Sequence, residues 1–219
     1  AYGKKVGQSR AEDARRWKEQ LQQLRHGNWN RTKMLHFGET PEMLLRVGVD
    51  PLPMVMPPSV YDKATRTKHN VPREIIENLH EYMDRSMLVA DSDTVPNAIY
   101  SVLDRKIGTA PVLVAIHLNR KDGRAEVNLM ASIYGKESAG MFLRAIEKGK
   151  ARFIHRKKLR AWLQSIGLQL PEEGARRDAR PILHEEDIVK SSPEVNPVSQ
   201  VRDPSATQPE LDLWADVEP

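Results

Sequence analysis

The sequence predicts an α+β fold, with N-terminal helices packed on a four- to five-stranded antiparallel meander. Three observations carry this expectation. Apolar residues recur at helical spacing up to about residue 85, and the pattern then switches to alternation between residues 86 and 134. Asp122-Gly123, between the two longest alternating runs, is a strong hairpin signal. The 219 residues suit one domain with extensions.

Ser9 to Arg25 reads as a first helix. Ser9 and Glu12 have capping-box spacing, and Ala14, Trp17, Leu21 and Leu24 form one apolar stripe. Gly27 ends it, and residues 1–33 are expected to be a packing helix or a linker. Thr32 to Phe37 is a short strand, and Pro41-Glu42 opens a helical turn to Val47. The four prolines between Pro51 and Pro58 permit only a short extended edge segment around Met54-Val55-Met56. Ser59 is placed to cap a helix to His69, and Pro72 to start another that ends near Arg85.

Four strands follow, at Ser86 to Ala90, Ala98 to Asp104, Pro111 to Leu118 and Ala125 to Tyr134. The stripes Val112/Val114/Ile116/Leu118 and Val127/Leu129/Ala131/Ile133 form one face, which the preceding helices would cover. Centring the hairpin on Asp122-Gly123 pairs residue 117 with about 127 and 112 with about 132, which puts His117 and Ser132 at opposite ends of the sheet. Glu137 to Lys148 is helical, Ala151 to Ile154 is a fifth strand, and Lys157 to Ser165 a last helix. From Pro171 onward there are seven prolines, with 12 acidic against 5 basic residues, so residues 172–219 are expected to form a mostly disordered acidic tail. Two apolar islands interrupt it, Ile182-Leu183 with Ile188-Val189, and Leu211-Asp212-Leu213-Trp214.

Composition excludes several function classes. The chain has no cysteine, so no disulfide scaffold, thiol nucleophile or Cys-ligated metal is available. No apolar run approaches the roughly 20 residues of a membrane-spanning helix, and no membrane partner is expected. Walker, G-x-G-x-x-G, G-x-S-x-G and His-Glu-x-x-His patterns are missing. Asp91-Ser92-Asp93 lacks the Gly and distal Glu of a calcium loop, so neither metal nor cofactor is expected. Residues 1–170 hold 29 of the basic and 18 of the acidic groups, an excess of +11 that suits a polyanion such as RNA or DNA. The same charge would also suit a merely soluble basic protein.

Among the seven histidines, His69 keeps the company that chemistry needs. On a continuous helix Tyr61, Thr65, Lys68 and His69 fall within about 100° of arc, opposite Val60, Ala64 and Thr67. Lys63 and Arg66 flank that stripe. One imidazole, hydroxyl donors and fixed cations are the kit of a metal-independent ribonuclease, although a solvated helix face has the same look. On the last long strand Asn128, Ser132 and Tyr134 alternate with apolar residues, and Gly135-Lys136 follows. His117 shares the second sheet face with Leu113 and Ala115 and is read as structural.

Several segments together resemble the MuF C-terminal domains of phage and prophage proteins. They are Leu52-Pro53 with Met54 to Val60, Lys63-Ala64-Thr65-Arg66-Thr67-Lys68-His69, Asp91-Ser92-Asp93-Thr94, Ala131-Ser132-Ile133-Tyr134-Gly135-Lys136 and Gly167 to Pro171. The resemblance covers about residues 34–171. It implies a barnase–EndoU–colicin E5/D–RelE-like nuclease fold and a toxin-like endoribonuclease acting in the bacterial cytoplasm, virion-associated or delivered. By carry-over Lys63, Lys68, His69, Ser132 and Tyr134 are the expected catalytic set, and Tyr61, Thr65, Arg66 and Lys136 would bind substrate. RNA, an immunity protein and phage head or toxin-delivery proteins are the implied partners. The competing readings are a non-catalytic nucleic-acid-binding or phage structural module, and an ADP-ribosyltransferase. For the latter only Glu126 offers a carboxylate on the sheet.

Overall fold

The structure is a computed structural model that describes residues 2–66, 69–176, 178 and 180–190. Helix α1 (Tyr2–Arg25) starts ahead of Ser9, so Ser9 lies inside it and does not cap it. Trp17, Leu21 and Leu24 are buried, and the Trp17 indole Nε1 donates to the Ile76 carbonyl at 2.7 Å. The helix is therefore part of the core.

Strand β1 (Leu35–Glu39), helix α2 (Glu42–Arg46) and strand β2 (Pro53–Met56) come next. Helix α3 (Pro58–Arg66) begins at a proline, whose fixed φ suits a first turn, so Ser59 is again inside the helix. The expected single helix from Pro72 is two short ones, α4 (Arg73–Glu77) and α5 (Leu79–Asp84). The break falls at Asn78 (φ −107°, ψ 22°), whose side-chain amide donates to the Glu74 carbonyl at 2.8 Å.

Strands β3 (Leu88–Asp91), β4 (Ala98–Ile107), β5 (Ala110–Asp122) and β6 (Ala125–Gly135) form the antiparallel meander. Helix α6 (Gly140–Glu147), strand β7 (Ala151–Ile154), helix α7 (Arg156–Ser165), strand β8 (Leu183–His184) and helix α8 (Glu185–Lys190) complete the described chain. The fold class is α+β, but the sheet is larger than the expected four or five strands and is mixed. Eight strands run in the order β1-β2-β6-β5-β4-β3-β7-β8. β2 joins β6 and β8 joins β7 in parallel, through two residue pairs each. Both additions are long-range pairings of short strands, which period-two patterning does not reveal.

The sheet is covered on both faces. One face packs with α1 to α5 around Trp17, Phe37, Met54, Ile76, Val114 and Ile133. The other, carrying Leu88, Tyr100, Val102 and Leu113, packs on α6 and α7 through Phe142, Leu159 and Trp162. Helices that follow the meander thus cover the face that the preceding helices do not.

The β5–β6 register corrects the sequence expectation. Asp122 pairs with Ala125, so the two loop residues are Gly123 and Arg124. Gly123 has φ +61°, which a primed hairpin turn requires at its first central position. Leu113 consequently faces Tyr134 and Ala115 faces Ser132, while a register shift after Ala115 pairs Ile116 with Met130. Ala131 is the additional residue of this bulge. It breaks the expected Val127/Leu129/Ala131/Ile133 stripe: Met130 and Ile133 enter the first core, whereas Ala131 lines a cavity on the second face.

The segment after α7 lies against the body through its described residues, including part of the expected tail. The Gly174 N–H donates to the Ile146 carbonyl at 3.0 Å, and Arg176 Nη1 to the Ala151 carbonyl at 2.8 Å. Gly149 (φ +63°) sits so close to Ala175 that a Cβ would overlap its carbonyl oxygen. Glu185 accepts from the Arg156 and Lys157 N–H groups at 2.9 and 3.1 Å, capping α7 from 29 residues away where its own N-cap, His155, makes no side-chain capping bond. The Leu211–Trp214 island lies outside the described residues, with all of 191–219.

Candidate active site

The site forms where α3 meets the free half of β6. β2 pairs with β6 only at Asn128 and Leu129, and α3 packs against β6. The chain after α3 turns back through Asn70, held in the left-handed region at φ 39°, a conformation that Asn tolerates better than most residues. Buried Val71 anchors the return by donating its N–H to the Ala64 carbonyl at 2.8 Å. Half-buried His69 is thereby brought beside the sheet, its ring centroid 5.4 Å from that of Tyr134 with the planes inclined at 38°. His69 lies beyond the end of the helix, so it reaches Tyr134 through this turn and not along the helical stripe that the sequence suggests.

Tyr134 belongs to both sides of the arrangement. It also forms a wall of a cavity of about 230 Å³, which Ser132, His117, Tyr100, Ser92 and Thr94 line as well. Burial pushes the Tyr134 phenol above its ordinary pKa, so it is protonated at neutral pH and can donate a hydrogen bond. Tyr100 is pushed further in the same direction, by burial first and then by the nearby Asp93 and Asp91 carboxylates. These two acids are themselves paired, Asp93 with Lys150 and Asp91 with Arg152 at 2.6 Å and Arg176 at 3.4 Å.

The other expected site residues separate into groups. Lys63 and Arg66 are exposed on α3, and Arg66 reaches Asp62 at 4.0 Å. Thr65 is half-buried and its hydroxyl donates to the Tyr61 carbonyl at 2.9 Å, so it is occupied within its own helix. Tyr61 is not on an exposed helix face as the sequence suggests: it is 2% exposed and packs in the first core with Val60 and Ala64. Burial raises its pKa, while Arg25 and Arg73 oppose the rise. Lys136 is half-buried at the end of β6, with its backbone N–H on the Pro111 carbonyl at 2.9 Å. Lys68 falls among the residues that the structure does not describe. Asn128, expected on the polar face with Ser132 and Tyr134, is fully buried, donating to Thr40 Oγ1 at 2.9 Å and to the Asp50 carbonyl at 3.1 Å.

Sequence reasoning missed two residues. His117 was set apart from Ser132 by the assumed register, yet the observed register places it two residues from Ser132's partner, Ala115, and both line the cavity. Tyr100 shows only as one aromatic in an apolar strand. Its pairing with Ala115, itself opposite Ser132, brings it to the same place. Among the described residues no group of three or more His, Asp or Glu side chains is arranged to hold a metal ion, and no helix is long and apolar enough to cross a membrane.

Comparison with known proteins gives one result. No curated protein and no solved structure is detectably similar to the chain. Residues 60–161, which hold most of α3, the whole β3–β6 meander and the first half of α7, match the sequence model of the phage MuF C-terminal domain. That stretch, His69, Ser132 and Tyr134 among its residues, is what the chain shares with the phage MuF C-terminal domain.

Proposed function

We propose that the chain is a phage- or prophage-associated toxin endoribonuclease that cleaves RNA, tRNA included, by metal-independent general acid–base chemistry. The observation that supports this reading best is the approach of His69 to Tyr134, on a part of the chain with a strong basic excess. A histidine is the side chain whose ordinary pKa suits proton transfer near neutrality. In this mechanism His69 takes the proton of the RNA 2′-hydroxyl as the 2′-oxygen bonds to phosphorus. The P–O5′ bond breaks, and the proton collected by the imidazole returns to the leaving 5′-oxygen. The products are a 2′,3′-cyclic phosphate and a 5′-hydroxyl. Tyr134 and Ser132 donate hydrogen bonds to the developing phosphorane oxygens, and Lys63, Lys68 and Lys136 offset its charge.

A nuclease fold, an immunity protein and delivery with phage head or toxin-delivery proteins to a bacterial cytoplasm belong to the same proposal. The deciding experiment incubates the full chain with total RNA in EDTA and maps product ends. Cyclic phosphate ends that disappear with His69→Ala support the reading. Binding of RNA without any cleavage overturns it in favour of a non-catalytic nucleic-acid-binding or phage structural module.

A further inference from the structure

The cavity behind Tyr134 has features that proton transfer at a phosphate does not require. Its volume of about 230 Å³ is below the roughly 300–1,000 Å³ of pockets that enclose a drug-sized ligand, so it suits a single flat ring system and not a whole nucleotide. Its walls are mixed, with Ala98, Leu113 and Met141 beside hydroxyl groups. One of those hydroxyls is anomalous. Tyr100 is 4% exposed, and its Oη is fully buried without a hydrogen-bond partner among the described residues. Buried tyrosine hydroxyls normally find a partner, and one left without it marks a place where a ligand group is expected. By contrast Ser92 Oγ already accepts from the Thr94 and Val95 N–H groups at 3.3 and 3.1 Å, which shapes the loop at the cavity mouth.

We propose that this cavity is a nucleobase subsite, in which the base next to the scissile phosphate enters behind Tyr134 and is read by the Tyr100 hydroxyl. The inference rests on the RNA-cleaving reading above and extends it to base selectivity. Tyr134 links the two, since its ring lines the cavity and has its centroid 5.4 Å from that of His69. A nucleotide whose phosphate lies at His69 therefore has its base within reach of the cavity. Proteins that recognise single-stranded RNA read it in this way, by splaying a base out, stacking it on an aromatic ring and bonding its edge. His117 and Ser132 are further polar groups along the wall. Ala115 and Ala131, both small, leave the room that the base takes.

Two measurements on the full chain test the proposal and separate its failure from that of the parent reading. In the first, a randomised RNA pool is cleaved and the nucleotides flanking each cut are counted. One base is expected to dominate on one side of the cut by tenfold or more. Tyr100→Phe should reduce that preference at least tenfold, because the phenyl ring keeps the shape and loses only the hydroxyl. In the second, the four nucleoside 3′-monophosphates are titrated against the chain by NMR, with inorganic phosphate as control. One nucleotide should bind at least tenfold more tightly than the rest, and Ala115→Leu, which narrows the cavity, should abolish the difference. Cleavage without base preference, or a preference unchanged in both variants, overturns the subsite while leaving the ribonuclease standing. Selective nucleotide binding without cleavage supports the subsite and overturns the ribonuclease.

Discussion

Replacing His69 by alanine separates catalysis from folding, because the structure gives the two effects different sizes. His69 is half-buried in a turn, and its described aromatic contact is the Tyr134 ring at 5.4 Å. An aromatic pair of this kind contributes about 0.5–1.5 kcal/mol. A small domain is stable by about 5–15 kcal/mol, so the variant should remain folded. Loss of a general acid or base typically costs about 10²–10⁴ in rate, which at 1.36 kcal/mol per tenfold is roughly 2.7–5.4 kcal/mol of transition-state stabilisation. The assay is the initial rate of RNA cleavage, with circular dichroism and urea unfolding on the same samples. His69→Ala should lose at least about 10² in rate with an unfolding midpoint close to that of the parent. Lys63→Ala and Lys68→Ala should each lose less, since neighbouring cations partly substitute. Full activity in His69→Ala, at unchanged folded content, refutes the assignment.

Three further outcomes are expected from the fold. Trp17→Ala empties a fully buried site and leaves the Ile76 carbonyl without its indole donor, so urea unfolding should show a loss of about 3–5 kcal/mol; a loss below about 1 kcal/mol would mean that α1 is dispensable packing. Glu185→Ala removes the carboxylate that caps α7, and should cost about 1–2 kcal/mol and raise hydrogen exchange at the Arg156 and Lys157 amides; unchanged exchange there would contradict the capping role. Stability should fall on acidification from about pH 7.5 to 5.5, in part because His80 is half-buried with its pKa lowered by desolvation. The sign follows from linkage: a histidine whose folded pKa lies below its unfolded value of about 6.5 contributes stability above that value, which is lost as pH falls. His80 Nε2 is 2.7 Å from the Phe37 carbonyl oxygen, and its buried Nδ1 has no hydrogen-bond partner among the described residues, so protonation would leave a poorly solvated charge there. His80→Gln should flatten the pH dependence, and an equally steep profile would assign the loss to other groups.

The meander was legible because its information is local. Alternation, a turn glycine and short connections specify β4, β5 and β6, and a four-residue run between two helices specifies β7 at its observed bounds. The two parallel additions were not legible for the complementary reason. β2 meets β6 through Met54–Asn128 and Val55–Leu129, and β8 meets β7 through Phe153–Leu183 and Ile154–His184; nothing in either short strand advertises its partner. The break at Asn78 has a tertiary element too: the Ile76 carbonyl, two residues earlier, is held by the Trp17 indole from another helix. In the described first part of the tail, Gly174, Arg176 and Glu185 find specific backbone partners, which composition alone does not reveal.

The candidate site shows where periodicity helps and where it misleads. Ser132 and Tyr134 share the cavity wall, as period two requires, and the helical motif does end near them. The helical stripe failed at Tyr61 because α3 is buried on more than one side, against the first core as well as against β6, so its apolar arc is wider than Val60 and Ala64 suggest. His117 was misplaced by an error in the hairpin centre together with the bulge at Ala131, each of which moves the register by a residue or two. A one-residue change of register turns a side chain to the other face, whereas a bulge absorbs that change over a single pair. The bulge is therefore what keeps Val114 and Ile133 in the first core while Ser132 and Tyr134 face the cavity with Tyr100. A single substitution cannot realign this strand without moving both sets, which makes the geometry of the His69–Tyr134 approach a property of the whole β5–β6 hairpin and not of the two rings alone.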